Sequence, residues 1–144
     1  MNIRKATAAD KAVWLPLRFA LWPHETGLDS GMDVILNDPE QDCFIAYDGE
    51  RPIGFIEMSL RKYAEGCDSS PVAFVEGWFV AEDLRRKGVG AQLMARGEEW
   101  GRAMGCTELG SDTEVWRTLS RTVHKKLGFE EVEEVVSFRK SLYG

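Results

Sequence analysis

The chain has 144 residues, with 18 Lys and Arg against 24 Asp and Glu, a net charge of −6, and 44% hydrophobic residues. That size and balance, with five Trp and seven Phe, point to one folded domain over residues 1–144 and exclude a mainly disordered chain. No apolar run approaches the ~18 residues of a membrane span, and the acidic balance speaks against a nucleic-acid partner, which selects a basic face.

Residues 1–5 alternate weakly and predict a short first strand, and the first ten residues hold no apolar stretch of secretory type. Thr7 and Asp10 have the spacing of a helix cap, with Asp in place of the usual Glu or Gln. A helix follows to Leu21, with Val13, Leu17 and Leu21 at four-residue spacing, and Trp22-Pro23 ends it. Residues 29–36 predict a second helix. Residues 43–47 form a short apolar strand, Asp48-Gly49 signals a hairpin, and residues 52–60 are the returning strand. Residues 61–71 are a polar loop. Residues 73–80 read Ala-Phe-Val-Glu-Gly-Trp-Phe-Val, a strand in which Gly77 marks a bulge or a close backbone approach. Residues 88–104 predict a helix with Val89, Leu93, Gly97, Trp100 and Met104 on one face, stopped by Gly105. Residues 106–109 form a short strand, residues 114–127 a helix closed by Gly128, and residues 132–142 a last strand. The order implies an α/β (α+β) fold, a sheet with helices on both faces.

Three cysteines, Cys43, Cys67 and Cys106, are too few and too scattered for a disulfide framework or a metal site, so no metal is expected. Reduced thiols point to the cytoplasm. The segment from Val80 to Ala91 joins a strand to a helix through a basic, glycine-rich turn holding Arg85, Arg86, Lys87, Gly88, Val89 and Gly90. Free N–H groups at a helix start hold phosphate well, and glycines let the backbone approach an anion. A solvated basic helix start has the same composition. The spacing is neither a P-loop nor a dinucleotide fingerprint.

The run Arg85-x-x-Gly88-x-Gly90, after the strand Glu76-Gly-Trp-Phe-Val80 and before an amphipathic helix, resembles the pyrophosphate signature Gln/Arg-x-x-Gly-x-Gly/Ala of the Gcn5-related N-acetyltransferases. His124-Lys-Lys-Leu-Gly-Phe129 resembles the second signature of that family, and the element order agrees over nearly the whole chain. The resemblance implies a mixed, mostly antiparallel sheet splayed between strands four and five, with acetyl-CoA in the cleft. Its pantetheine would pair with backbone at Trp78, Phe79 and Val80, and its pyrophosphate would meet N–H groups of residues 86–91. A backbone N–H near Phe79 or Val80 would polarise the thioester carbonyl. The reaction is then direct attack by an amine, resting on positioning and removal of a proton. His124 stands where many members keep a Tyr that protonates the departing thiolate. The Asn that relatives place in the fourth helix, contacting CoA, aligns with Arg117.

A narrower resemblance covers Leu21-Trp22-Pro23, the loop from Tyr63 to Val72, Glu76-Gly77, Ser111-Asp112-Thr113 and Leu127-Gly-Phe-Glu-Glu131. These are similar to one branch of aminoglycoside 6′-N-acetyltransferases, often homodimers. By analogy Trp22, Tyr63, Glu76, Asp112 and Glu133 bind the aminoglycoside, with Asp112 first and Glu76 second as proton acceptor. A polycation coated with hydroxyls needs several carboxylates and a flat aromatic. Each residue also has a structural reading: Trp22 as helix end and core, Asp112 as a helix cap, Glu133 within a solvated acidic run, His124 as an ordinary helix residue. A carboxylate at Glu76, among apolar strand residues, requires a partner. Another cationic amine, a polyamine or a peptide N-terminus, fits the same acids, and an acyl-CoA-binding domain without catalysis needs only the basic turn.

Overall fold

Five strands lie side by side in chain order: β1 (Asn2–Lys5), β2 (Gln41–Asp48), β3 (Arg51–Arg61), β4 (Val72–Val80) and β5 (Leu109–Gly110). The computed structural model describes residues 1–143. The first three pairings are antiparallel, and β4 runs parallel to β5. Helices α1 (Lys11–Leu21) and α2 (Leu28–Asn37) cover one face, and α3 (Val89–Ala103) covers the other. Helix α4 (Thr118–Lys126) follows β5. Among the described residues no helix is long and apolar enough to cross a membrane.

Strand alternation builds two apolar layers. Cys43, Ile45 and Tyr47 of β2 point toward α1 and α2, while Phe44 and Ala46 point toward α3. Phe55 and Ile56 divide the same way, and both are fully buried. Such a side chain contributes roughly 1.5–3 kcal/mol on burial, so these two layers supply most of the drive to fold. The hairpin signalled by Asp48-Gly49 forms, one residue later than that pair implies: Asp48 pairs with Arg51, and Gly49, at φ +61°, is the first of the two turn residues. Thr7 and Asp10 also meet as expected: the Thr7 N–H donates to Asp10 Oδ2 at 2.8 Å.

Three expectations are corrected. The helix expected over residues 114–127 begins at Thr118, because Glu114 holds the preceding turn, accepting bonds from Trp116 Nε1 at 2.6 Å and Arg117 Nε at 3.2 Å. The strand expected over 106–109 is only Leu109–Gly110, because the Cys106 N–H closes α3 on the Gly101 carbonyl at 2.9 Å. Residues 132–142 form no strand. A strand is completed by a neighbour's hydrogen bonds, and no backbone ladder reaches this segment. Arg121, bonded at 2.7 and 2.9 Å, and then Lys125 hold Glu131 where the tail begins and lower its carboxyl to about 2.

The core contains one carboxylate that sequence reading passed over. Glu57, in the middle of β3, is 3% exposed. Trp14 Nε1 donates to its Oε2 at 3.0 Å, and Arg18 Nε lies 3.2 Å from the same oxygen but off-line for a hydrogen bond, so that contact is Coulombic. Burial pushes the Glu57 carboxyl from its ordinary 4.5 up to about 7, against the pull of Arg18 and Trp14. Between those two values the folded state holds a proton that the unfolded chain has released, so this group makes stability fall as pH rises through the window. The urea midpoint of the wild type should therefore decline between about pH 5 and about pH 7.5 relative to that of Glu57→Gln. Parallel midpoints across that range would show Glu57 charged throughout.

Candidate active site

Strands β4 and β5 pair only at Ala73–Leu109 and Phe74–Gly110. Beyond that point β4 continues to Val80 paired with β3 only, and β5 ends at Gly110. The gap opens into a cavity of about 1490 Å³, lined by Trp22, Glu76, Trp78, Asp112 and His124 among others. That exceeds the ~300–1,000 Å³ typical of a single small-ligand site; along β4 its lining ends at Trp78, so Phe79, Val80 and the basic turn lie outside it.

A bulge aims the cavity wall. Glu57 pairs with Gly77 and Met58 with Val75, so Glu76 is an extra residue in β4. It turns out of the ladder into the cavity. Gly77 lies flat under Trp22, where a Cβ would come within 2.6 Å of the indole ring. Both readings of Gly77, bulge and close approach, therefore hold at once.

Glu76 has the partners its position requires. Arg61 Nη2 donates to Oε1 at 2.7 Å, Arg61 Nε donates to Oε2 at 2.9 Å, and the Ser59 hydroxyl donates to Oε2 at 2.5 Å. The Arg61 guanidinium stacks on the Phe74 ring at 3.5 Å. Burial alone would raise the Glu76 carboxyl, but Arg61 and then Ser59 hold it below its ordinary value. A carboxylate kept charged in this way is a strong cation ligand and a weak proton acceptor. Asp112, two residues past β5, is exposed on the same wall.

His124 projects from α4 into the gap. Its Nε2 meets Ser111 Oγ at 2.8 Å, and its Nδ1 meets the Ser120 carbonyl at 2.8 Å. Its ring stands edge-on to Trp78 at 5.5 Å and to Phe129 at 5.1 Å. Trp78 Nε1 donates to the Gly90 carbonyl at 3.1 Å, which ties the cavity wall to the first turn of α3.

The basic turn has the form the sequence suggests. Arg86 and Gly88 take positive φ, +65° and +85°. The first helical bond of α3 runs from the Gln92 N–H to the Gly88 carbonyl, so the N–H groups of Val89, Gly90 and Ala91 precede the ladder. Arg86 and Lys87 are exposed. Arg85 is exposed as well and carries one internal bond, its Nε donating back to the Val80 carbonyl at 2.9 Å.

The remaining predicted residues divide. Trp22, Glu133 and Arg117 reach the cavity wall, with Arg117 paired to Glu114 at 3.2 Å. Phe79 and Val80 lie farther along β4, where its β5 side is open. Tyr63 stands in its loop, 68% exposed, away from the wall. Sequence reading missed Arg61, although a cation just before the loop is the natural partner for a strand carboxylate. Among the described residues no cluster of His, Cys, Asp or Glu has the makings of a metal site.

Replacing Arg61 by Gln removes the largest influence lowering the Glu76 carboxyl, so its midpoint should rise toward the ordinary value in a carbon-13 NMR titration. The lowered carboxyl contributes stability above its unfolded pKa that is lost as pH falls through the folded one, and in Arg61→Gln that loss moves to higher pH. An unchanged midpoint would assign the effect to Ser59 alone.

Comparison with known proteins gives a consistent answer. The acetyltransferase (GNAT) family matches residues 9–129. The chain is 46% identical to the aminoglycoside N(6′)-acetyltransferase type 1 of Serratia marcescens over 134 residues, 90% of this chain and 91% of that protein. It is 40% identical to the enzyme of the same name from Klebsiella aerogenes, over 97% of this chain and 96% of that one. A solved structure of AAC(6′)-Iy in complex with the bisubstrate analog CoA-S-monomethyl-acetylneamine superposes with a TM-score of 0.92, at 41% identity and 97% coverage of both chains.

Proposed function

The chain belongs to the acetyltransferase (GNAT) family, and from that premise we propose that it transfers the acetyl group of acetyl-CoA to the 6′-amino group of aminoglycosides, in the cytoplasm. The observation that carries the reading is the acid-lined cavity at the parting of β4 and β5. It lies in a chain similar from end to end to enzymes named for that reaction.

The residues present fit acetyl-CoA. The open side of β4 over residues 75–80 offers unpaired backbone to an extended pantetheine arm, as a sheet edge does to a peptide. The N–H groups of Val89, Gly90 and Ala91, with Arg86 and Lys87, suit a pyrophosphate. Arg85 braces the turn through its Nε bond to the Val80 carbonyl, which leaves its Nη groups to add charge beside the pyrophosphate. An N–H near Phe79 or Val80 steadies the thioester oxygen.

The amine side uses Trp22 as a flat platform and the acids as ammonium ligands. Glu76, held charged, anchors a cation; Asp112, which makes no hydrogen bond or ion pair among the described residues, takes the proton that must leave before the amine can attack. Glu133 adds negative charge from the tail.

A homodimer completes the reading. Val132, Val136, Phe138 and Leu142 of the tail are 56, 76, 94 and 81% exposed, an apolar series that a lone subunit leaves in water. Pairing with a second copy covers it. Wild-type protein should sediment as a dimer, and Val136→Asp/Phe138→Asp as a monomer; a monomeric wild type at micromolar concentration rejects the dimer.

The function is tested by CoA-thiol release with kanamycin against an analogue carrying a 6′-hydroxyl. Release with the amine alone is expected. Asp112→Asn should lower kcat by about 10²-fold, and Glu76→Gln should chiefly raise KM for the aminoglycoside, both with acetyl-CoA binding retained. Release with neither compound moves the substrate to a polyamine or a peptide N-terminus, or leaves a binding domain.

A further inference from the structure

We infer that Ser111 is a catalytic residue whose hydroxyl carries a proton from the attacking amine to His124 and back to the departing sulfur. The inference rests on the acetyl-transfer reading above and adds to it a residue that neither signature assigns.

Ser111 follows Gly110, the last residue of β5 paired to β4. Its backbone is thus fixed by the sheet at the very point where the strands part, and its side chain lines the cavity. Its Oγ lies 2.8 Å from His124 Nε2, and His124 Nδ1 lies 2.8 Å from the Ser120 carbonyl oxygen. A carbonyl only accepts, so the Nδ1 position bears the hydrogen and the neutral ring keeps its lone pair on Nε2. The Ser111 O–H therefore donates to His124. The Ser120 hydroxyl, at 3.4 Å from Nδ1, is a longer second contact. Trp78 and Phe129 hold the ring from two sides by their edge-on contacts. In this tautomer His124 cannot protonate a thiolate directly, because Nε2 has no hydrogen to give. It must first receive one, and Ser111 is the group bonded to it.

The reaction has a matching need. After its ammonium has lost one proton to become a nucleophile, the amine nitrogen still sheds a second as the amide forms, and the sulfur gains one as it leaves. The nitrogen forms a C–N bond to the acetyl carbon. Its surplus proton passes to Ser111 Oγ while the hydroxyl's own proton passes to His124 Nε2. The C–S bond breaks with its electron pair on sulfur. The imidazolium then returns its proton through Ser111, leaving CoA thiol, the amide, a neutral serine and a neutral histidine. No oxidant, metal or further reactant enters. The carboxylates are poorly suited to this round trip: Glu76 is tied to Arg61 and Ser59, and Asp112 is assigned to the first proton.

The test compares Ser111→Ala and Ser111→Thr with the wild type. Ser111→Ala should lower kcat by about 10²-fold with KM for acetyl-CoA and for kanamycin unchanged, and Ser111→Thr, which keeps a hydroxyl, should restore most of the rate. The proton inventory of kcat in mixed light and heavy water should curve for the wild type and become linear for Ser111→Ala. A wild-type kcat in Ser111→Ala, or no recovery in Ser111→Thr, overturns the relay while leaving the acetyl-transfer reading intact. Failure of the wild type to acetylate kanamycin overturns that reading instead. Nitrogen-15 NMR of His124 tests the relay independently of any substrate: the Nδ1–H tautomer is expected, and the Nε2–H tautomer rejects it.

Discussion

Glu57 faces Gly77 across the sheet and Met58 faces Val75, which leaves Glu76 without a partner in the ladder. Much of the site depends on that extra residue. It swings a carboxylate out of an apolar strand toward the cavity, lays Gly77 flat beneath Trp22, and precedes the stretch of β4 that has β3 but no β5 beside it. A bulge bends its strand and increases local twist, which suits a place where two neighbours must separate. The shortness of β5 completes the effect, because the Cys106 amide is already committed to closing α3.

Two glutamates on neighbouring strands show how environment divides one side-chain chemistry. Glu57 is enclosed, with Trp14 donating and Arg18 nearby but misaligned, and burial dominates: its carboxyl rises to about 7. The Glu76 side chain is 32% exposed and accepts three hydrogen bonds from Arg61 and Ser59, and bonding dominates: its carboxyl stays low. The first is an element of the core. The second presents negative charge to whatever enters the cavity, and Arg61 is the cation that must share it.

Trp78 and His124 connect the two halves of the site. Trp78 bonds the first turn of α3, where free N–H groups and basic side chains meet, and its ring abuts His124 from α4. One indole thus abuts both the start of α3 and the imidazole of α4. Such fixed aromatic contacts favour positioning over motion, in keeping with a reaction that needs two substrates aligned.

The amino-acid sequence alone determined the element order from β1 to α4, the hairpin at Asp48-Gly49, the glycine-rich start of α3 and the kinship carried by Arg85 to Gly90 and His124 to Phe129. These are local matters of periodicity, turn chemistry and motif, legible because each depends on residues close in the chain. Tertiary structure alone decided which partners the buried and cavity-lining polar groups received. Arg61 reaches Glu76 across 15 positions, Trp14 reaches Glu57 across 43, and Ser111 meets His124 across 13. It also decided that residues 132–142 are no strand within one subunit, since alternation supplies a strand's faces but only a neighbour supplies its hydrogen bonds.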